Sequence, residues 1–184
     1  MHAAKNGHLP VVKLLTEGHA DVDWDDRADT SIRMKDGSSV FDWAVFGGNL
    51  SVMAYLKDEV PTLDVHSMNI SGCTAAHWAG ATGNIEVCRW LFDNGFDLSV
   101  TNHANHGLVN SAAYKGYVEV VQWAVAAPEG PHLAWQLGLK DHGGVSTIQN
   151  CRSAGHVALA DYLDKILLAG GPRDDIPPLI SWTF

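Results

Sequence analysis

TAAHWAGATGNIEVCRWL, Thr74 to Leu91, decides the reading of this 184-residue chain. It opens on a hydroxyl able to start a helix, breaks once at Gly83, and resumes with Ile85, Val87, Trp90 and Leu91 at helical spacing. With Gly83 as anchor, Gly7, Gly48, Gly116 and Gly155 fall into register at successive separations of 41, 35, 33 and 39 residues. A period near 33 with insertions points to supersecondary units stacked in a row.

The slots around the anchors repeat in kind. Two residues after them come Leu9, Leu50, Ile85, Val118 and Val157; four after come Val11, Val52, Val87, Val120 and Leu159. Seven and eight after come Leu14–Leu15, Tyr55–Leu56, Trp90–Leu91, Trp123–Ala124 and Tyr162–Leu163. That spacing draws one apolar face on a helix. Four before the anchors stand Ala3, Ala44, Ala79, Ala112 and Cys151, small enough to let backbones approach. Each unit is therefore two short antiparallel helices joined at a glycine free to take positive φ. Nine before the anchors, Ser39, Thr74, Gly107 and Ser146 are the expected N-caps. The second helices should stop at Gly18, at Asn94–Gly95, before Pro128 and at Gly170–Gly171.

These residues reach a family. TAAHWA (Thr74–Ala79) resembles the T-P-L-H-x-A opening of the ankyrin repeat, and LTEGHADVD (Leu15–Asp23) resembles that family's exit from helix to hairpin. SVFDWA (Ser39–Ala44), GLVNSA (Gly107–Ala112) and STIQNC (Ser146–Cys151) are similar openings without the proline, and only the third repeat keeps the histidine. The resemblance implies an all-α solenoid of ankyrin-type helix-turn-helix repeats with short β-hairpin or loop connections. It spans residues 1–170, with repeats near 1–33, 34–68, 69–101, 102–140 and 141–170, followed by a mobile tail, 171–184. One helix pair cannot bury enough to offset its ordering entropy, whereas stacked units share apolar faces. Repeat one begins inside its own first helix, so an apolar end without polar cover is expected there, as in a fragment of a longer protein. Two insertions, Asp25 to Lys35 and Pro128 to Gly138, fall between helix pairs, where a solenoid tolerates extra residues.

Composition excludes several classes of function. A net charge of −9 with no basic run argues against binding a phosphate backbone. The longest apolar stretch, Val118 to Ala127, carries Glu119 and Gln122, so no membrane span is expected. Three irregularly spaced cysteines and no secretory leader suggest a reducing compartment, cytoplasm or nucleus. The acidic run Asp21 to Asp29 does not fit a calcium loop begun at Asp21, which would need Gly and Glu where Asp26 and Ile32 stand. G-x-S-x-G, P-loop, G-x-G-x-x-G and H-E-x-x-H motifs are all absent, and no enzyme activity or cofactor is expected.

Function then rests on surface. The resemblance implies a monomer binding a protein partner in a concave groove made by hairpins and first helices. Its variable positions map onto Phe46, Thr82, His103, His106, Tyr114 and Lys115, and the aromatic–cation pair Tyr114–Lys115 suits a binding hot spot. Trp43, Trp78, Trp90 and Trp123 occupy shared slots and read as packing; Trp24, Trp135 and Trp182, in insertions or tail, read as exposed contacts. The alternatives are a metal- or redox-responsive regulator using Cys73, His103 and His106 at the hairpin tips, or a targeting segment of a larger enzyme.

Overall fold

A computed structural model describes residues 1–17 and 33–171. The acidic run, Trp24, most of the first insertion and the tail from residue 172 lie outside them. Five helix pairs follow one another: α1 (His2–Lys5) with α2 (Leu9–Glu17), α3 (Val40–Phe46) with α4 (Leu50–Glu59), α5 (Ala75–Thr82) with α6 (Ile85–Asp93), α7 (Leu108–Lys115) with α8 (Val118–Ala126), and α9 (Thr147–Ser153) with α10 (Val157–Leu168). The first helices α1, α3, α5, α7 and α9 pack in unbroken series, and each second helix packs on the first helix of its own pair.

All four expected N-caps occupy that position. Ser39 and Ser146 close reciprocal capping boxes: Asp42 N–H donates to Ser39 Oγ (3.1 Å) and Ser39 N–H to Asp42 Oδ2 (2.7 Å), while Gln149 answers Ser146 in the same way. In α5 the His77 ring takes the carboxylate's role, Nδ1 accepting from Thr74 N–H at 3.0 Å.

The anchor glycines all adopt left-handed backbone, φ between 71° and 92°. They also receive the first residue after the next anchor: a Cβ on Gly83 would lie 2.5 Å from the Tyr117 ring, and one on Gly116 2.4 Å from the His156 ring. Asn49 uses the same approach beside Gly7 to donate Nδ2 to the carbonyls of Ala4 (3.0 Å) and Lys5 (2.7 Å), closing the end of α1. Glycine is thus required for both conformation and stacking.

Ala44, Ala79, Ala112 and Cys151 on the first helices are fully buried, as are Leu56, Leu91, Ala124 and Leu163 on the second. The first repeat differs. Val11, Leu14 and Leu15 hold slots that are covered in the later repeats or nearly so, yet they are 44 to 50% exposed. Among the described residues these three side chains leave an open apolar edge on α2.

The second insertion departs from the expectation of a tolerated excursion. Its residues Leu133–Gly138 form a 3₁₀ helix wedged against α7, α8, α9 and α10, with Leu133, Gln136 and Leu137 buried. Gln136 explains the odd cap of α7. Its Oε1 accepts from Val109 N–H (3.3 Å) and its Nε2 donates to the Ser99 carbonyl (3.1 Å). A Cβ on Gly107 would lie 2.5 Å from that amide. Glycine at the N-cap thus makes room for a cap supplied to Val109 from 27 residues downstream of it. Trp135 stands outward, 52% exposed, as expected.

The connections are turns rather than strands; the β feature among the described residues is an isolated bridge, Lys140–Ser146. Four turns, 34–38, 69–73, 102–106 and 141–145, share one design, each closed from the first N–H to the fifth carbonyl at 2.8 to 2.9 Å. The fourth residue is left-handed: Gly37, Gly72, Asn105 and Gly144. Asn69, Asn102 and Asp141 open their turns and accept two amide protons each; in the first turn Met34 stands there, and Asp36 accepts from Ser38 instead. Backbone bonds link consecutive turns, Ile70 N–H to Asp36 O (2.9 Å) and His103 N–H to Ser71 O (3.0 Å).

Candidate functional site

The turns and the outward faces of the first helices share one side of the stack. Residues five and two before each anchor point there, one helical turn apart: Trp43 with Phe46, Trp78 with Ala81, Ser111 with Tyr114. The six sequence candidates fall into groups rather than a single point.

Phe46, 37% exposed, is the centre of the first group. Its ring meets Trp43 edge-on at 5.8 Å and Trp78 at 5.7 Å, and Lys5 Nζ stands 5.0 Å from its centroid and 5.1 Å from that of Trp43. Asp42, Trp43, Phe46 and Trp78 line a small dent of about 40 Å³. Sequence reasoning placed Trp43 and Trp78 in packing and passed over Lys5. Trp78 packs against the core as expected, and both half-buried tryptophans also wall this dent, with Lys5 the cation beside it. The signal was present in the i, i+3 relation of Trp43 to Phe46.

Tyr114 and Lys115 form the second group, Lys115 Nζ lying 5.8 Å from the Tyr114 ring centroid, with Tyr114 52% exposed. Thr82, half-buried, turns its hydroxyl into its own helix toward the Ala79 carbonyl (2.9 Å). On the third turn His103 is exposed and rests on Gly72, while His106 Nε2 lies 3.5 Å from Asp141 Oδ2 on the fourth. The amide of Val145 first, then those of Gly143 and the His106 ring, hold the Asp141 carboxyl below its usual range.

The turn cysteine and histidines do not converge. Cys73 Sγ accepts from Asn102 Nδ2 at 3.4 Å, and among the described residues no group of three or more His, Cys, Asp or Glu side chains could hold a metal ion. Burial pushes the Cys88 thiol up to about 12 and the Cys151 thiol up to about 11, which keeps both protonated and poorly reactive near neutral pH.

The family model described as ankyrin repeats in three copies matches residues 1–102, more than half of the chain. The chain belongs to the ankyrin repeat family. No curated protein matches it. The fourth and fifth helix pairs lie beyond the matched stretch, yet they repeat the ankyrin anchors, caps and turns described above. Ankyrin repeats are generally protein–protein interaction modules and typically non-enzymatic. None of the described helices is long and apolar enough to cross a membrane.

Proposed function

We propose that this chain binds a partner protein along the face built from its turns and first helices, through Phe46, Thr82, His103, His106, Tyr114 and Lys115, and that it acts by holding that partner rather than by chemistry. The supporting observation is the line of aromatic side chains left partly open on rigid helices, Trp43, Phe46 and Trp78 followed by Tyr114 with its own cation. Aromatics on a preorganised scaffold lose little entropy on binding and anchor interfaces. With its net charge of −9, the chain favours a basic partner surface.

Affinity capture from native extract, with the parent chain beside a Tyr114→Ala/Phe46→Ala/His106→Ala variant of matching circular dichroism, tests this. The expected result is a protein retained by the parent and reduced tenfold or more with the variant, about 1.4 kcal/mol of binding. Equal retention by both would remove this face from the interaction. Tyr114→Ala alone should leave the melting temperature within experimental scatter, because the side chain is half exposed and supports no core packing.

A further inference from the structure

We infer that the turn-and-helix face seats an extended segment of the partner protein that is acidic at both ends and apolar between. This deepens the proposed function and rests on that face being the partner surface.

Charge is spread unevenly over the molecule. The exposed carboxylates Asp58, Glu59, Glu86, Asp93 and Glu119 stand on second helices. Every Lys or Arg ion pair among the described residues engages a second helix: Lys57 with Asp58, Arg89 with Glu129, Arg152 with Asp161 and Asp164. On the turns and first helices the balance inverts. Lys5 and Lys35 stand toward one end, Lys115 and Lys140 toward the other, and among the described residues none has a carboxylate partner. The carboxylates nearby are turned inward. Asp36 takes both bonds from Ser38, at 3.0 and 2.9 Å; Asp141 accepts the amides of Gly143 and Val145; Asp42 is 2% exposed. The net charge of −9 acts on a partner at a distance, whereas a seated segment answers to charges within a Debye length, about 8 Å at physiological salt.

Between the two cationic ends lies a stretch without charge. Neither residues 65–85 nor residues 98–114 include a Lys, Arg, Asp or Glu, which leaves the second turn, α5, the third turn and most of α7 uncharged. Apolar groups stand open there and beside it: Met68 is 60% and Ile70 70% exposed, and Phe46 meets Trp78 edge-on. Lys5 on α1 and Lys115 on α7 are three packing steps apart. At roughly 10 Å a step that is about 30 Å, the reach of about nine extended residues.

The test follows the fluorescence anisotropy of a labelled peptide, Glu-Glu-Gly-Leu-Phe-Gly-Phe-Leu-Gly-Glu-Glu, added to the full chain at low salt. A control peptide, Leu-Phe-Gly-Glu-Glu-Gly-Glu-Glu-Gly-Phe-Leu, has the same composition with its acids at the centre. Saturable binding of the first is expected, at least fivefold tighter than the control and weakened at least threefold when salt is raised to about 0.15 M. Lys35→Gln and Lys115→Gln should each weaken it at least threefold at unchanged circular dichroism, since both side chains are exposed, whereas Lys57→Gln on α4 should not. Lys115→Glu should prefer a peptide in which one glutamate pair is replaced by lysines. The inference is overturned if the first peptide does not bind, if the control binds equally, or if Lys57→Gln weakens binding as much as Lys115→Gln. It is also overturned if a twelve-nucleotide thymidine strand displaces the peptide at equal concentration, which would make the face a site for phosphates. If capture fails in the triple variant while neither peptide binds, the face remains the partner surface and the acidic pattern is lost. If the first peptide binds selectively while capture ignores the face, the pattern stands and the wider reading does not.

Discussion

Gln136→Ala is expected to lower the unfolding free energy by about 4 kcal/mol, an unusually large loss for a polar residue. Three effects add. The α7 N-terminus loses its only side-chain cap, worth about 1 kcal/mol, because Val109 N–H has Gln136 Oε1 as acceptor and Gly107 has no side chain. The Ser99 carbonyl loses its donor, which costs about 1 kcal/mol because Ser99 is exposed and water can take the place. A cavity opens between α7 and the 3₁₀ wedge, since Gln136 is 1% exposed. Urea unfolding with an unchanged m-value is the measurement, and a loss below about 1 kcal/mol would mean that the amide only fills space. Gly107→Ser sharpens the case. In the parent its Cβ meets the amide at 2.5 Å and should destabilise; with Gln136→Ala the space is free, and serine supplies the missing cap. The same substitution should therefore change sign between the two backgrounds.

His77→Leu is expected to cost about 3 kcal/mol and to remove an acid sensitivity expected of the parent below pH 6.5. The ring is 4% exposed and bridges two backbones, Nδ1 accepting from Thr74 N–H and Nε2–H donating to the His106 carbonyl at 2.9 Å. Leucine matches the volume and leaves both groups unpaired. Burial pulls the His77 pKa below its ordinary 6.5, against the bond from Nε2–H to the His106 carbonyl. Between that depressed value and 6.5 the unfolded chain binds more protons than the folded one, so stability falls as pH drops through the window and is retained above it. Asp141, held low, loses its contribution only below its ordinary 3.8, and Asp42, raised chiefly by burial, acts in the opposite sense. His77→Gln isolates the ring. Gln149 shows that an amide completes this capping box, so the variant should keep the cap, lose the bridge, and show a flatter urea midpoint from pH 7.5 to 5.5. An unchanged slope would place the acid sensitivity elsewhere.

The repeat was legible because it is local. Anchor glycines, small interhelical residues and hydroxyl caps each act within a few residues, so spacing alone exposed them. Gln136 was not legible: a six-residue 3₁₀ segment has no periodicity, and its burial depends on α7 to α10 together. The opening residue of the turns was partly hidden because Met34 breaks the series of Asn69, Asn102 and Asp141. Trp43 and Trp78 show another limit. A shared apolar slot says that residues lie on one face, not whether a neighbour covers it. The exposure of Phe46, Tyr114 and Lys115 was legible because their place beside the anchors put them at a surface.

The links between turns make this molecule a spring of uneven stiffness. Backbone bonds clamp the first turn to the second and the second to the third. Between the third and fourth, among the described residues, side chains do the work: Asn105 Nδ2 reaches the Lys140 carbonyl at 3.2 Å, and His106 faces Asp141. Side-chain links of this kind yield before main-chain bonds. The turn edge is held by main-chain bonds over its first three members and by side chains at the fourth. A guest seated on the first three turns meets an edge fixed by the main chain, whereas one reaching the fourth also meets side chains that can rearrange.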